Sequence, residues 1–169
     1  MTAHASARSP VAGVGTQQVL TFSLESDSYG LDIMRVREIR GWTPVTRIPK
    51  LPTHVLGVLN LRGSVVPIID LRARFNLAPA AFTALSVIVI LSAKISSGER
   101  DFGLVVDGVS DVVDIRTSSI QEAPYLGARV DFIRGLVIAA GRMLILLDVD
   151  ELIRDDVERM PATDLAGVV

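Results

Sequence analysis

The sequence predicts a mainly β chain made of two similar subdomains, each an antiparallel barrel or sandwich. Three observations carry this. First, the two halves repeat. Tyr29-Gly30-Leu31-Asp32-Ile33 returns as Phe102-Gly103-Leu104-Val105-Val106, and the same spacing carries Val36 onto Val109, Glu38 onto Asp111 and Ile39 onto Val112. At a slightly longer spacing, the run from Gly57 to Leu71 returns as Gly135 to Val149. Two structural units of one kind, separated by small loop insertions, produce such a pattern. Second, Val and Ile crowd into short runs while helical periodicity is scarce. Third, turn residues punctuate those runs at short intervals: Ser28, Gly63, Gly98, Asp107-Gly108 and Gly141.

Taken in order, strands are expected near Val19–Glu25, Tyr29–Ile33, Thr43–Arg47, Val58–Leu61, Val65–Ile69, Ser86–Ser92, Phe102–Val106, Asp111–Asp114, Gly135–Ala139 and Met143–Leu147. The run Val19 to Leu24 is matched to Val87 to Ser92. Ile33 to Arg40 reads as a short turn after the second strand. Arg62-Gly63 and Ala140-Gly141 sit at matching tight turns, where glycine supplies positive φ. Asp70 and Asp148 each close a strand and can cap a following helix, at Leu71–Phe75 and Asp150–Met160. Ile153, Val157 and Met160 form the apolar stripe of the second helix. Residues 1–17 are expected to be a mobile tail, 18–153 the folded domain, and 154–169 the end of the last helix and a loose tail.

Composition narrows the function classes. The chain has 169 residues, 49% hydrophobic and 21% charged, enough to bury a sizeable core. Its longest apolar runs, Val87 to Leu91 and Leu136 to Ala140, are far short of the roughly 20 residues a membrane helix needs. Met1 to Gln18 lacks the apolar core of a signal peptide. The absence of cysteine excludes disulfide and thiolate chemistry and fits a reducing cytoplasm. A net charge of −2 disfavours a nucleic-acid partner.

Signals for catalysis are poor. The two histidines, His4 and His54, are far apart, and no His, Cys or carboxylate cluster has metal-ligand spacing. Gly13-Val14-Gly15 lacks the third glycine and the flanking elements of a dinucleotide loop. Neither a nucleophile elbow nor a phosphate loop is present. No metal or other cofactor is therefore expected. Asp107 and Asp111 offer a carboxylate pair for a small hydrolase, but turn and cap roles suffice for both.

Three features point instead to binding. Arg62 breaks the repeat, since the second copy carries Ala140 at the same turn; its planar fork suits a partner's carboxylates or carbonyls. Val36 and Ile39 are fenced by Arg35, Arg37, Glu38 and Arg40. They form either an amphipathic turn facing the core or a partner-facing apolar spot with a charged rim. Trp42, the one tryptophan, reads as a packing residue.

These residues also carry a family resemblance. Tyr29-Gly30-Leu31-Asp32-Ile33, Val36-Arg37-Glu38-Ile39-Arg40-Gly41, Val45-Thr46-Arg47-Ile48-Pro49, Gly57-Val58-Leu59-Asn60-Leu61-Arg62-Gly63, Val66-Pro67-Ile68-Ile69-Asp70-Leu71 and Val105-Val106-Asp107-Gly108-Val109-Ser110-Asp111-Val112 resemble the CheW family, the coupling proteins of bacterial chemotaxis. The resemblance runs from about Gln18 to Ile153. It implies two intertwined five-stranded SH3-like β-barrels with a few short helices and a C-terminal helix. It implies a non-enzymatic cytoplasmic adaptor, recruited to membrane-bound receptor arrays without entering the membrane. Its partners would be the cytoplasmic hairpin of a chemoreceptor and the regulatory domain of the histidine kinase CheA. By motif match Arg62 and Glu38 carry over as interaction residues, with Gly57, Val36 and Val45 beside them and Ile39 as a further candidate. Arg62, Val106 and Val109 are the candidates for a receptor groove between the barrels. An adaptor of another chemosensory pathway, such as one controlling pilus motility, fits the same residues.

Overall fold

The computed structural model describes residues 15–122 and 131–158. The strands are β1 (Thr16–Leu24), β2 (Asp27–Asp32), β3 (Val36–Gly41), β4 (Val55–Leu61), β5 (Ser64–Asp70), β6 (Val87–Ile95), β7 (Gly98–Val106), β8 (Gly108–Arg116), β9 (Ile133–Ala139) and β10 (Arg142–Leu147). Helix α1 (Leu71–Arg74) follows β5 and α2 (Val149–Glu158) follows β10. Both start on an aspartate, as expected: Asp70 accepts the Arg72 N–H and Asp148 the Glu151 N–H, each at 3.1 Å. Of the predicted stripe on α2, Ile153 is buried; the Val157 side chain and Met160 lie outside the described residues.

The strands form two five-stranded sheets, in the orders β8-β1-β2-β10-β9 and β3-β6-β7-β5-β4. Moving each strand to its repeat partner turns one order into the other. Each sheet therefore takes two strands from one half of the chain and three from the other, which is what intertwines the units. The exchange is made by two parallel pairs, β2 with β10 and β7 with β5. Gly30 lies opposite Leu146 in one and Gly103 opposite Ile68 in the other, so the repeat holds to the residue.

Barrel-like curl comes from one more contact in each sheet. After β3 the chain returns to β4, where Thr46 and Val58 exchange hydrogen bonds of 2.9 and 2.8 Å. Gln121 and Leu136 do the same in the other sheet at 2.8 and 2.7 Å.

Buried side chains form three groups. Val19, Ile115, Val137, Leu144 and Leu146 fill the first sheet's own interior. Val66, Ile68, Ile88, Ile90 and Val105 fill the second, with Trp42 packed against them as expected. The largest group, including Phe22, Leu24, Leu31, Ile69, Leu91, Phe102 and Leu104, draws on both sheets and joins them. Such burial is the main stabilising term in a fold of this kind.

Three expectations need correction. Ile33 to Arg40 is a 3₁₀ turn only over Ile33–Arg35; Val36–Gly41 is strand β3, with a bulge between Val36 and Glu38. The bulge breaks the period-two pattern that marks a strand. Thr43–Arg47 is not a strand; only its Thr46 bridge forms, and Pro44 has no N–H to extend a ladder. Finally, Val19 corresponds to Ile88 rather than Val87, because Val19 lies opposite Asp32 and Ile88 opposite Val105. Two adjacent apolar runs disguise a one-residue slip, which in a pleated strand reverses faces.

Candidate interaction site

The β4–β5 hairpin turns at Arg62-Gly63, where both residues have positive φ, 52° and 88°. The ladder closes at Leu61 and Ser64, leaving a two-residue turn of the kind whose twist matches its strands. Asn60 Oδ1 accepts the Gly63 N–H at 2.9 Å and pins it. This geometry throws Arg62 outward: its side chain is 78% exposed, yet one guanidinium nitrogen donates to Glu38 Oε1 at 2.7 Å. The two residues that motif matching singled out are thus brought together from β3 and the hairpin. The Arg62 hydrogen bond, reinforced by the Arg62 and Arg40 charges, holds the Glu38 carboxyl below its usual range against slight desolvation.

Beside the pair lies a pocket of ≈ 260 Å³ with mainly polar walls, lined by Arg37, Glu38, Arg62, Ser64 and Asp101 together with Leu61, Val66 and Ile90. Ile39, next to Glu38 on β3, is 45% exposed and stands opposite Val89, on the other face of the strand from Glu38. A polar recess beside a paired charge suits a partner's polar or charged groups.

The remaining candidates divide. Val36 and Ile39 stand opposite Leu91 and Val89, so the bulge puts them on one face of β3; Val36 is half-buried against the core common to both sheets, while Ile39 is exposed. Val109, its twin, is packed in the same way. Val45 is half-buried against the second sheet's interior. Gly57 offers no side chain and is a packing site: a Cβ there would stand 2.1 Å from Thr46 O, at φ 153°. Its twin Gly135 repeats this against Gln121 O at 2.4 Å. Val106 is a correction. At 1% exposure it presents nothing to a groove, because β7 runs between β6 and β5 and its residue faces the shared core.

The sequence reading missed a second site of the same design. Asp111, the twin of Glu38, pairs with Arg142 at 3.2 Å. The hairpin arginine has moved from the turn, where Ala140 stands, to the first residue of β10. The exposed apolar neighbour recurs too: Val112 is 47% exposed, as Ile39 is 45%, and Ile138 and Met143 are exposed opposite each other on the β9–β10 hairpin. Acceptance of the Thr21 hydroxyl bond, then the Arg142 contact, keeps the Asp111 carboxyl low. The pairing of Glu38 with Asp111 in the repeat was the available signal. Asp107 is structural, held by Arg72 in a two-pronged pair.

A wider cavity, ≈ 380 Å³, lies elsewhere, lined by Asp32, Arg35, Arg134, Asp148 and Asp150 among others. Polar walls and wide opening make it a solvent cleft rather than an enclosed reaction chamber. Among the described residues no group of three metal-ligating side chains occurs, and no helix is long and apolar enough to cross a membrane.

Comparison with known proteins agrees with this geometry. The CheW-like domain model matches residues 18–157. A chemotaxis protein CheW of Klebsiella aerogenes is 40% identical over 142 residues, covering 83% of each chain. The chemotaxis protein CheW of Rhizobium meliloti is 39% identical over 140 residues, covering 82% of this chain and 88% of its own. The crystal structure of the scaffolding protein TtCheW from Thermoanaerobacter tengcongensis superposes with a TM-score of 0.73 at 31% identity, covering 81% of this chain and 92% of its own. With the intertwined sheets and the Arg62–Glu38 site already in place, these matches show that the chain belongs to the CheW-like domain family.

Proposed function

We propose that this chain is a non-enzymatic adaptor of bacterial chemotaxis. It couples the cytoplasmic hairpin of chemoreceptors to the regulatory domain of a CheA-type histidine kinase. The observation that carries the reading is the exposed Arg62–Glu38 pair beside a polar recess, presented by a chain whose relatives are chemotaxis proteins. Glu38, Ile39 and Arg62 form the surface that meets the kinase. Val109 and Arg62 flank the receptor groove between the two barrels. Val36, Val45 and Gly57 act through packing, holding β3 and β4 in register. The protein works in the cytoplasm, recruited to arrays by its partners.

The chemistry is that of a small interface. A charge pair already formed in the free protein enters the complex pre-oriented, and its exposed guanidinium still has donors to spare. Calorimetry of the full chain with the isolated kinase regulatory domain, and separately with a receptor hairpin fragment, tests this. Saturable binding to both supports it; binding to neither overturns it.

A further inference from the structure

The chain changes sheets twice among the described residues. It leaves the first sheet through Ile33–Arg35, between β2 and β3, and returns through Asp107, the single residue between β7 and β8. At such points the backbone has left one ladder and not yet joined the next, so a small rotation there would swing one sheet against the other.

Both crossovers are gripped in the same way. Arg35 donates from Nη1 to Asp150 Oδ1 at 2.9 Å and from Nη2 to Oδ2 at 2.8 Å. Arg72 donates from Nε to Asp107 Oδ1 at 2.8 Å and from Nη2 to Oδ2 at 2.7 Å. Asp150 and Arg72 are equivalent residues, each the second of its helix. The repeat has thus kept the clasp and reversed its polarity: the first crossover offers the arginine and the helix the acid, the second the opposite.

Each clasp also reaches across. Helix α2 follows β10 of the first sheet, but Asp150 accepts the Lys94 N–H of β6 at 2.8 Å and Arg35 donates to Ser92 O of β6 at 3.2 Å. Helix α1 follows β5 of the second sheet, but Asp107 accepts the Glu25 N–H in the β1–β2 turn at 2.7 Å and Arg72 donates to Glu25 Oε2 at 3.3 Å. A planar guanidinium on a carboxylate fixes direction as well as distance, and all four side chains are partly buried.

We infer that the two clasps, Arg35–Asp150 and Arg72–Asp107, are positioning residues that set the angle between the barrels, and through it the affinity for the receptor hairpin in the groove between them. The inference rests on the adaptor reading for the identity of that partner. Contacts at Arg62–Glu38 lie within one sheet and do not depend on the angle.

The test uses the full chain. It has no cysteine, so Ser97→Cys on the second sheet and Asp114→Cys on the first, both exposed, take spin labels for an inter-barrel distance. Arg72→Asp sets like charges against Asp107. Adding Asp107→Arg rebuilds the pair with the polarity of the first clasp. Arg72→Asp is expected to broaden the distance distribution and weaken the receptor fragment roughly tenfold, with kinase-domain affinity held within about twofold. The double variant is expected to restore both the distance and receptor affinity. An unchanged distance in Arg72→Asp overturns the inference. So does equal weakening of both partners in step with the melting temperature, or failure of the double variant to rescue. If the unaltered chain binds neither partner, the adaptor reading fails, and the label distance still decides the clasp.

Discussion

At Arg62 and its neighbours, stability and the proposed binding role can be tested apart. Ala140 fills the equivalent turn position at the same φ, 52°, so the hairpin tolerates a methyl group. Arg62→Ala should shift stability by no more than about 0.5 kcal/mol, as at other surface sites. Kinase affinity should fall by about thirtyfold, the effect of losing roughly 2 kcal/mol at an interface arginine. Arg62→Glu should be worse, because it sets two acids together with Glu38. Melting curves beside calorimetry check both. Val36 and Ile39 make the complementary pair. Val36→Asp puts an unpaired charge against the shared core and should cost several kcal/mol, whereas Ile39→Asp should leave the melting temperature near the original and weaken only binding. Arg62 stood out in the sequence because it breaks the repeat, Ile39 because charged residues fence it, and Glu38 through the family motif. Arg142 did not, because displacement by two residues hides it from alignment. The Asp156 cluster was equally silent: this 4%-exposed acid on α2 sits 2.6 Å from His54 Nε2 and 3.4 Å from Arg74 Nε. Nothing in the sequence around those three residues links them.

At the scale of elements, the repeat is a statement about registers. Gly57 lets β4 approach the returning Thr46, and its φ excludes a side chain as well. Gly57→Ala should therefore destabilise by more than about 1 kcal/mol. It should also weaken both partners through misplacement of the hairpin; Gly135→Ala should lose comparable stability and leave the Arg62 hairpin intact. Guanidinium unfolding of the two variants gives the comparison. Strand positions were readable because Val and Ile runs end at turn residues. Strand partners were not, since alternation says which face a residue occupies but not which strand lies beside it. The bulge in β3 shows the same limit: it brings Val36 and Ile39, three residues apart, onto one face, where plain alternation would separate them.

For the whole molecule, ion pairs between elements remote in sequence couple stability to pH. The Arg72 hydrogen bond, which outweighs partial burial, and the Glu25 N–H hold the Asp107 carboxyl below its usual range. A lowered carboxyl stabilises the fold above its unfolded pKa of about 4, and that contribution is lost as pH falls through the folded value. Burial acts oppositely on Asp70, whose carboxyl is raised. The melting temperature should drop as pH falls below about 4, and less steeply in Asp107→Asn, whose neutral amide has no such proton to gain. A scan of thermal unfolding against pH shows the difference; parallel slopes would remove Asp107 from the account.

The central claim is that the chain couples two partners and that Arg62 is where the coupling is made. Its most direct test is kinase autophosphorylation reconstituted from the kinase, receptor hairpin fragments and this chain. Activity should rise only when all three are present, and Arg62→Glu at unchanged melting temperature should abolish the rise. Activation that needs only receptor and kinase, or that survives Arg62→Glu intact, would contradict the claim.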